Sequence, residues 1–143
     1  MKKDFLRIID ANLNRSREGL RVCEEIARFS LNDTQLTAEL KRLRHRISRK
    51  MNKFPGRLSA LLECRKTQTD VGRKIKGLSR REDSADLFLA NIQRVKESLR
   101  VLEELANIFS QALSNNFARL RFEAYRLEKK TIARLQAICN SKY

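Results

Sequence analysis

Ala11-Asn-Leu-Asn-Arg-Ser-Arg-Glu-Gly-Leu-Arg-Val-Cys-Glu-Glu-Ile-Ala27 returns later in the chain, without a gap, as Ala90-Asn-Ile-Gln-Arg-Val-Lys-Glu-Ser-Leu-Arg-Val-Leu-Glu-Glu-Leu-Ala106. The recurrence goes beyond the apolar pattern that any two helices share. Asn12/Asn91, Arg15/Arg94, Glu18/Glu97, Arg21/Arg100 and Glu24-Glu25/Glu103-Glu104 recur as well. Packing requires the apolar letters and is largely indifferent to the polar ones. A repeated polar set therefore points to a site built twice.

Outward from this stretch the punctuation is sparse, with four glycines and one proline. The spacing predicts a first helix over about 4–31, ending at Asn32-Asp33-Thr34, which can also cap the next helix. The second carries Leu36, Leu40, Leu43, Ile47, Met51 and Phe54 at intervals of three and four and stops at Pro55-Gly56. A short apolar turn over 57–64 leads into a basic, irregular segment over 65–81. A third helix is expected over about 83–113 and a fourth over about 116–139, parted by Ser114-Asn115-Asn116. Lys41-Arg-Leu-Arg44 is echoed by Ala118-Arg-Leu-Arg121, so the duplicated unit is a helical hairpin. The expected fold is all-α and a single domain over 1–143: a bundle of two duplicated hairpins, four long helices plus a short linking helix. The repeats cover about 5–54 and 84–138, with a linker over 55–83.

The chain has 143 residues, enough for a core without staples, and a net charge of +15, which calls for an anionic partner. Cys23, Cys64 and Cys139 show neither C-x-x-C nor finger spacing, which suits a reducing cytoplasm and argues against a disulfide frame or structural zinc. No secretory signal and no apolar run long enough for a membrane span is visible, so a cytoplasmic protein without membrane partners is expected.

On a helical wheel, Asn12, Arg15 and Gly19 fall inside the apolar arc of the first helix, and Asn91, Arg94 and Ser98 fall at the matching places. Arginines turned inward need an anion or hydrogen-bonding partner. Either an internal ion-pair network tolerates them, or the bundle holds an anion pocket for which Gly19 and Ser98 leave room. A second stripe, Asn14, Glu18, Arg21, Glu25 and Arg28, is matched by Gln93, Glu97, Arg100 and Glu104, and reads as a solvated ladder or a pocket wall. His45 is the only histidine and has no visible catalytic partner. The linker residues Arg65, Asp70, Gly72, Arg73, Lys74, Lys76 and Gly77 suit phosphate approach but form no Walker loop.

Arg7-Ile-Ile-Asp-Ala-Asn-Leu-Asn-Arg-Ser-Arg-Glu-Gly-Leu-Arg21, with Glu24-Glu-Ile-Ala-Arg-Phe29, Lys41-x-x-Arg-His45, Asp70-Val-Gly72 and the second copy, resembles one family over about Phe5 to Tyr125. These are the small monofunctional hydroxymethylpyrimidine-phosphate kinases of thiamine biosynthesis, found alone or fused to thiamine-phosphate synthase. The resemblance implies transfer of the γ-phosphate of ATP to 4-amino-5-hydroxymethyl-2-methylpyrimidine phosphate, giving the diphosphate, with Mg²⁺. It also implies association with thiamine-phosphate synthase. No synthase barrel is visible, so synthase activity is not expected.

Phosphoryl transfer is mostly positioning and charge stabilisation, and the acceptor is already ionised, so no strong base is required. On that chemistry Arg15, Arg21, Arg94 and Arg100 clamp phosphates in bidentate fashion. Asn12 and Asn91 orient the arginines or a ligand edge, and Glu18, Glu97 or Asp70 holds Mg²⁺. Lys41, Arg44, Arg65, Lys74 and Arg81 are further phosphate contacts, and Asn14, Arg17 and His45 complete the candidate binding set. A homodimer completing the pocket is one arrangement the reading allows. The rival readings are a basic nucleic-acid module, disfavoured by few aromatics and no recognition-helix pattern, and a non-catalytic partner-docking bundle.

Overall fold

The computed structural model describes residues 2–54, 57–75, 77 and 79–141, with the side chains of Arg57 and Leu58 outside the description. Among the described residues five α-helices carry the fold: α1 (Lys3–Glu25), α2 (Thr34–Lys50), α3 (Arg57–Cys64), α4 (Ser84–Asn107) and α5 (Gln111–Asn140). Among the described residues there is no strand. The all-α bundle of four long helices and a short linking one is as the spacing predicts. The Pro55-Gly56 stop and Lys76 of the linker lie outside the described residues.

α1 packs on α2, α3 and α4, and α5 packs on α4 and α2, so the long helices close a cycle around one core. Ile9, Leu13, Leu20, Leu40, Ile47, Phe88, Ile92, Leu99 and Phe117 are fully buried there. Phe54 closes one end, stacked on Phe117 with ring centroids 5.7 Å apart and edge-on to Phe109 at 5.6 Å. No helix among the described residues is long and apolar enough to cross a membrane.

The hairpins are built alike. Asp33 accepts a hydrogen bond from the Leu36 amide at 2.9 Å to start α2, and Ser110 accepts one from the Leu113 amide at 3.2 Å to start α5. The register that carries Arg15 onto Arg94 would carry Asp33 onto Ala112, but the matching cap is Ser110, so the first hairpin has the longer turn. The extra length is taken up by a π-helical turn over Ile26–Ser30 and by Asn32, whose φ of 50° suits a helix end.

One predicted boundary is corrected. The break between the last two long helices falls at 108–110, not at Ser114-Asn115-Asn116. Ser114 lies inside α5, where its hydroxyl donates to the Glu103 carbonyl at 2.9 Å, and the Gln111 amide bonds Asn115 at 3.0 Å. Polar letters that look like a turn are here bridges to the neighbouring helix and to the next turn.

Candidate functional site

α1 and α4 run antiparallel and close together. Cys23 Sγ reaches the Phe88 carbonyl at 4.0 Å, and a Cβ placed on Gly19 would lie 2.9 Å from Val95 Cγ2 and 3.0 Å from the Asn91 carbonyl oxygen. Glycine is required there because the facing backbone leaves no room for a methyl group.

Two hollows flank this crossing. One, of about 320 Å³, is lined by Arg15, Glu18, Gly19, Val22, Arg81, Leu87, Asn91 and Arg94. The other, of about 490 Å³, is lined by Asn12, Arg15, Arg94, Glu97, Ser98 and Val101. Exchanging the two copies turns every residue of the second hollow into one of the first: Asn12 into Asn91, Arg15 into Arg94, Glu97 into Glu18, Ser98 into Gly19, Val101 into Val22, while Arg81 and Leu87 belong to the first alone. Both arginines line both hollows, so an approximate two-fold axis passes between them.

Asn12 donates its amide to the Ile8 carbonyl at 2.8 Å, and Asn91 donates to the Leu87 carbonyl at 2.9 Å. Each carboxamide is thus pinned to the preceding turn of its own helix. Gln93 donates to Glu97 at 3.0 Å. Among the described residues, Arg15, Glu18 and Arg94 have side chains with no hydrogen-bond or ion-pair partner. The inward orientation expected for Arg15 and Arg94 is corrected: both are exposed. Their Cα positions lie beside the apolar arc, but the crossing forms a groove there, and the long stems carry the charged heads out to water.

A third hollow, about 500 Å³, continues from Asn12 and Arg15 toward the linker. It is lined by Asp4, Arg7, Asp10, Asn14, Arg65 and Asp70 among others. Asp10, 5% exposed, accepts from Arg65 Nε at 2.8 Å and NH2 at 2.7 Å, a forked pair that ties the linker to α1 and raises the Arg65 pKa. Asn14 donates to the same carboxylate at 3.2 Å. Asp70 Oδ1 accepts from the Gly72 amide at 2.8 Å, closing a small turn ahead of Val71–Lys74. Arg81 donates to Ser79 Oγ at 2.9 Å.

The structure therefore gathers Asn12, Asn14, Arg15, Glu18, Arg65, Asp70, Arg81, Asn91, Arg94 and Glu97 along one continuous furrow. The remaining candidates lie elsewhere. Arg21 and Arg100 are exposed and paired within their own helices, to Glu24 and Glu25 and to Glu103 and Glu104. Arg44 reaches across to Glu24 at 2.6 Å, and Arg121 to Glu103 at 2.9 Å, each raised in pKa by its carboxylate partner. This repeated cluster holds each hairpin shut. Lys41 shares a hollow with Arg21, Arg28 and Asp33 at the hairpin turn, and His45 and Lys74 are exposed and line none of the three hollows. Arg17, about 200° around α1 from Arg15, faces the end of α2. Glu18, Asp70 and Glu97 are not brought into one metal cluster; no group of three or more metal-ligating side chains occurs among the described residues.

The sequence reading does not single out Asp10, nor Arg7 and Lys66. The available signal is an acidic residue one turn before Asn14, on the inward side of α1.

The model of the ThiD2 family matches residues 7–130. A thiamine-phosphate synthase of Synechocystis sp. is 39% identical over 137 residues, covering 91% of this chain and 38% of that protein. One from Thermosynechococcus vestitus is 39% identical over 134 residues, covering 92% and 36%, and one from Rhodopirellula baltica 38% over 128, covering 86% and 33%. The chain thus spans well under half the length of these curated relatives. No solved structure matches it.

Proposed function

The chain belongs to the ThiD2 family, and from that premise we propose that it is a kinase of thiamine biosynthesis, moving the γ-phosphate of ATP onto hydroxymethylpyrimidine phosphate. An oxygen of the acceptor phosphate attacks the γ-phosphorus, the bond to the β-bridging oxygen breaks, and ADP leaves with the electron pair. The reading is supported above all by the twin hollows sharing Arg15 and Arg94. Two phosphorylated ligands repel one another, and a pair of uncompensated guanidinium groups between their seats offsets that repulsion where it is greatest. Each hollow also offers an asparagine held to its own helix and one glutamate.

By size, the nucleotide lies along the linker-side groove and the adjoining hollow, and the smaller pyrimidine phosphate occupies the hollow of about 320 Å³ beside Asn91 and Arg81. Mg²⁺ is compatible with the donors present, since it takes one or two carboxylates and completes its shell with phosphate oxygens and water. Glu18 or Glu97, one in each hollow, would hold it, and it would supply charge neutralisation on the transferring group. Product formed here is matched to thiamine-phosphate synthase, the activity named for the relatives.

The test is ADP release with ATP, Mg²⁺ and hydroxymethylpyrimidine phosphate, with free hydroxymethylpyrimidine as the control. Arg15→Ala and Arg94→Ala are each expected to lower kcat/KM by at least about 10²-fold with helicity intact. Near-normal rates in both variants, or equal rates on the free alcohol, would refute the reading.

A further inference from the structure

The two copies treat one internal cation differently. Arg17 on α1 and Lys96 on α4 are equivalent in the register that pairs Arg15 with Arg94. Ser48 and Met51 are equivalent to Tyr125 and Glu128 in the register that pairs Arg44 with Arg121. In the second copy, Lys96 is 8% exposed. Its ammonium donates to both Glu128 oxygens, at 3.0 and 2.8 Å, and lies 4.5 Å from the centroid of the Tyr125 ring. Cation, counter-charge and aromatic cover form a closed set.

In the first copy the cation remains and its partners are gone. Arg17 NH1 approaches only the Met51 sulfur, at 3.8 Å, and a thioether is a weak acceptor. Its Nε is buried with no hydrogen-bond partner, alone in this among the buried side-chain nitrogens and oxygens of the described residues. Arginine cannot discharge by losing its proton. Nor does the local chain supply a counter-charge, since no Asp or Glu occurs between Leu40 and Leu62. Serine in place of tyrosine also removes the bulk that covers the second copy's cation.

We infer that Arg17 forms an anion site between α1 and the C-terminal end of α2, where a small oxyanion takes the place that the Glu128 carboxylate fills from within in the second copy. The ligand class is a phosphate or carboxylate group, received by the planar guanidinium fork. The site is separate from the furrow, because Arg17 and Arg15 lie on opposite sides of α1, and it does not depend on the kinase reading.

The test follows thermal unfolding of the full chain at fixed ionic strength in chloride, inorganic phosphate or acetate. An Arg15→Ala/Arg94→Ala background silences the furrow. Phosphate or acetate, at tenfold its dissociation constant, is expected to raise Tm by about 3–5 °C over chloride, and comparing the two identifies the preferred oxyanion. Arg17→Met should abolish that increment. Met51→Glu, which imports the second copy's carboxylate, should raise Tm in chloride, lose the anion increment, and lose its own gain when combined with Arg17→Met. An anion increment surviving in Arg17→Met would overturn the assignment. So would no increment with either anion, or a Met51→Glu gain indifferent to Arg17.

Discussion

Gly19→Ala is the most direct probe of how the fold sets up the furrow. At an unobstructed helix position, alanine for glycine stabilises by about 1 kcal/mol. At residue 19 the added methyl would stand 2.9 Å from Val95 Cγ2 and 3.0 Å from the Asn91 carbonyl oxygen. Both lie inside ordinary van der Waals contact, Val95 is fully buried, and the carbonyl belongs to the α4 backbone. Neither neighbour can swing away, so α1 and α4 must part. Overpacking of this kind costs about 1–3 kcal/mol, which outweighs the propensity gain and leaves a net loss of about 1 kcal/mol. For a chain of this length that lowers Tm by about 3 °C. Urea unfolding should show a lower midpoint at unchanged m. Ser98→Ala, at the equivalent position, adds no volume and removes only the hydroxyl bond to the Arg94 carbonyl at 2.7 Å, so its effect should be smaller. Because Arg15 and Arg94 share the hollows, parting the helices should also depress kcat/KM in the kinase assay more than it depresses stability. A Gly19→Ala protein more stable than the parent would refute the close approach on which the furrow's geometry rests.

Hydrogen bonds from Lys130 and Arg126 hold the Glu39 carboxyl down to about 2, from the usual 4.5. Because the folded value is the lower one, this stability is present above about pH 4.5 and lost as pH falls toward 2. With Arg126 half exposed, about 2 kcal/mol is expected, and Glu39→Gln should flatten the acid limb of the stability profile. Glu24→Gln should cost about 2–4 kcal/mol in urea unfolding, and Glu103→Gln less, because Glu24 is the more buried of the two, at 5% against 15% exposed. Burial pushes the Cys23 thiol well above its usual range, so native thiol titration should label exposed Cys139 quickly and reach Cys23 only on unfolding.

What is legible in the sequence, and what is not, follows from which interactions are local. The hairpins can be read because apolar spacing and the repeated strings are properties of single helices. The register that aligns Lys41–Arg44 with Ala118–Arg121, carried back to Asp33, lands on Ser110 and would have placed the second turn correctly. Ser114-Asn115-Asn116 mislead because their partners include Glu103 on another helix, which no local pattern reveals. The helical wheel puts Arg15 and Arg94 inside the apolar arc, yet it does not show that α1 and α4 cross there and leave a groove. Asp10 belongs to the same class, since its partner Arg65 is distant in the chain and reaches it only through the folded linker.

The duplication also separates residues kept for folding from those that folding does not explain. Arg21, Glu24, Glu25 and Arg44 recur as Arg100, Glu103, Glu104 and Arg121, and their ion pairs account for that recurrence by locking each hairpin. Asn12, Arg15 and Glu18 recur equally as Asn91, Arg94 and Glu97, but Arg15 and Arg94 are exposed and support no other side chain. Elsewhere in the same hairpins the two copies have drifted: Arg17 against Lys96, Met51 against Glu128, Ser16 against Val95. Two like charges kept side by side across an axis cost stability through repulsion. A function that brings negative charge to that axis is what makes their presence in both copies intelligible.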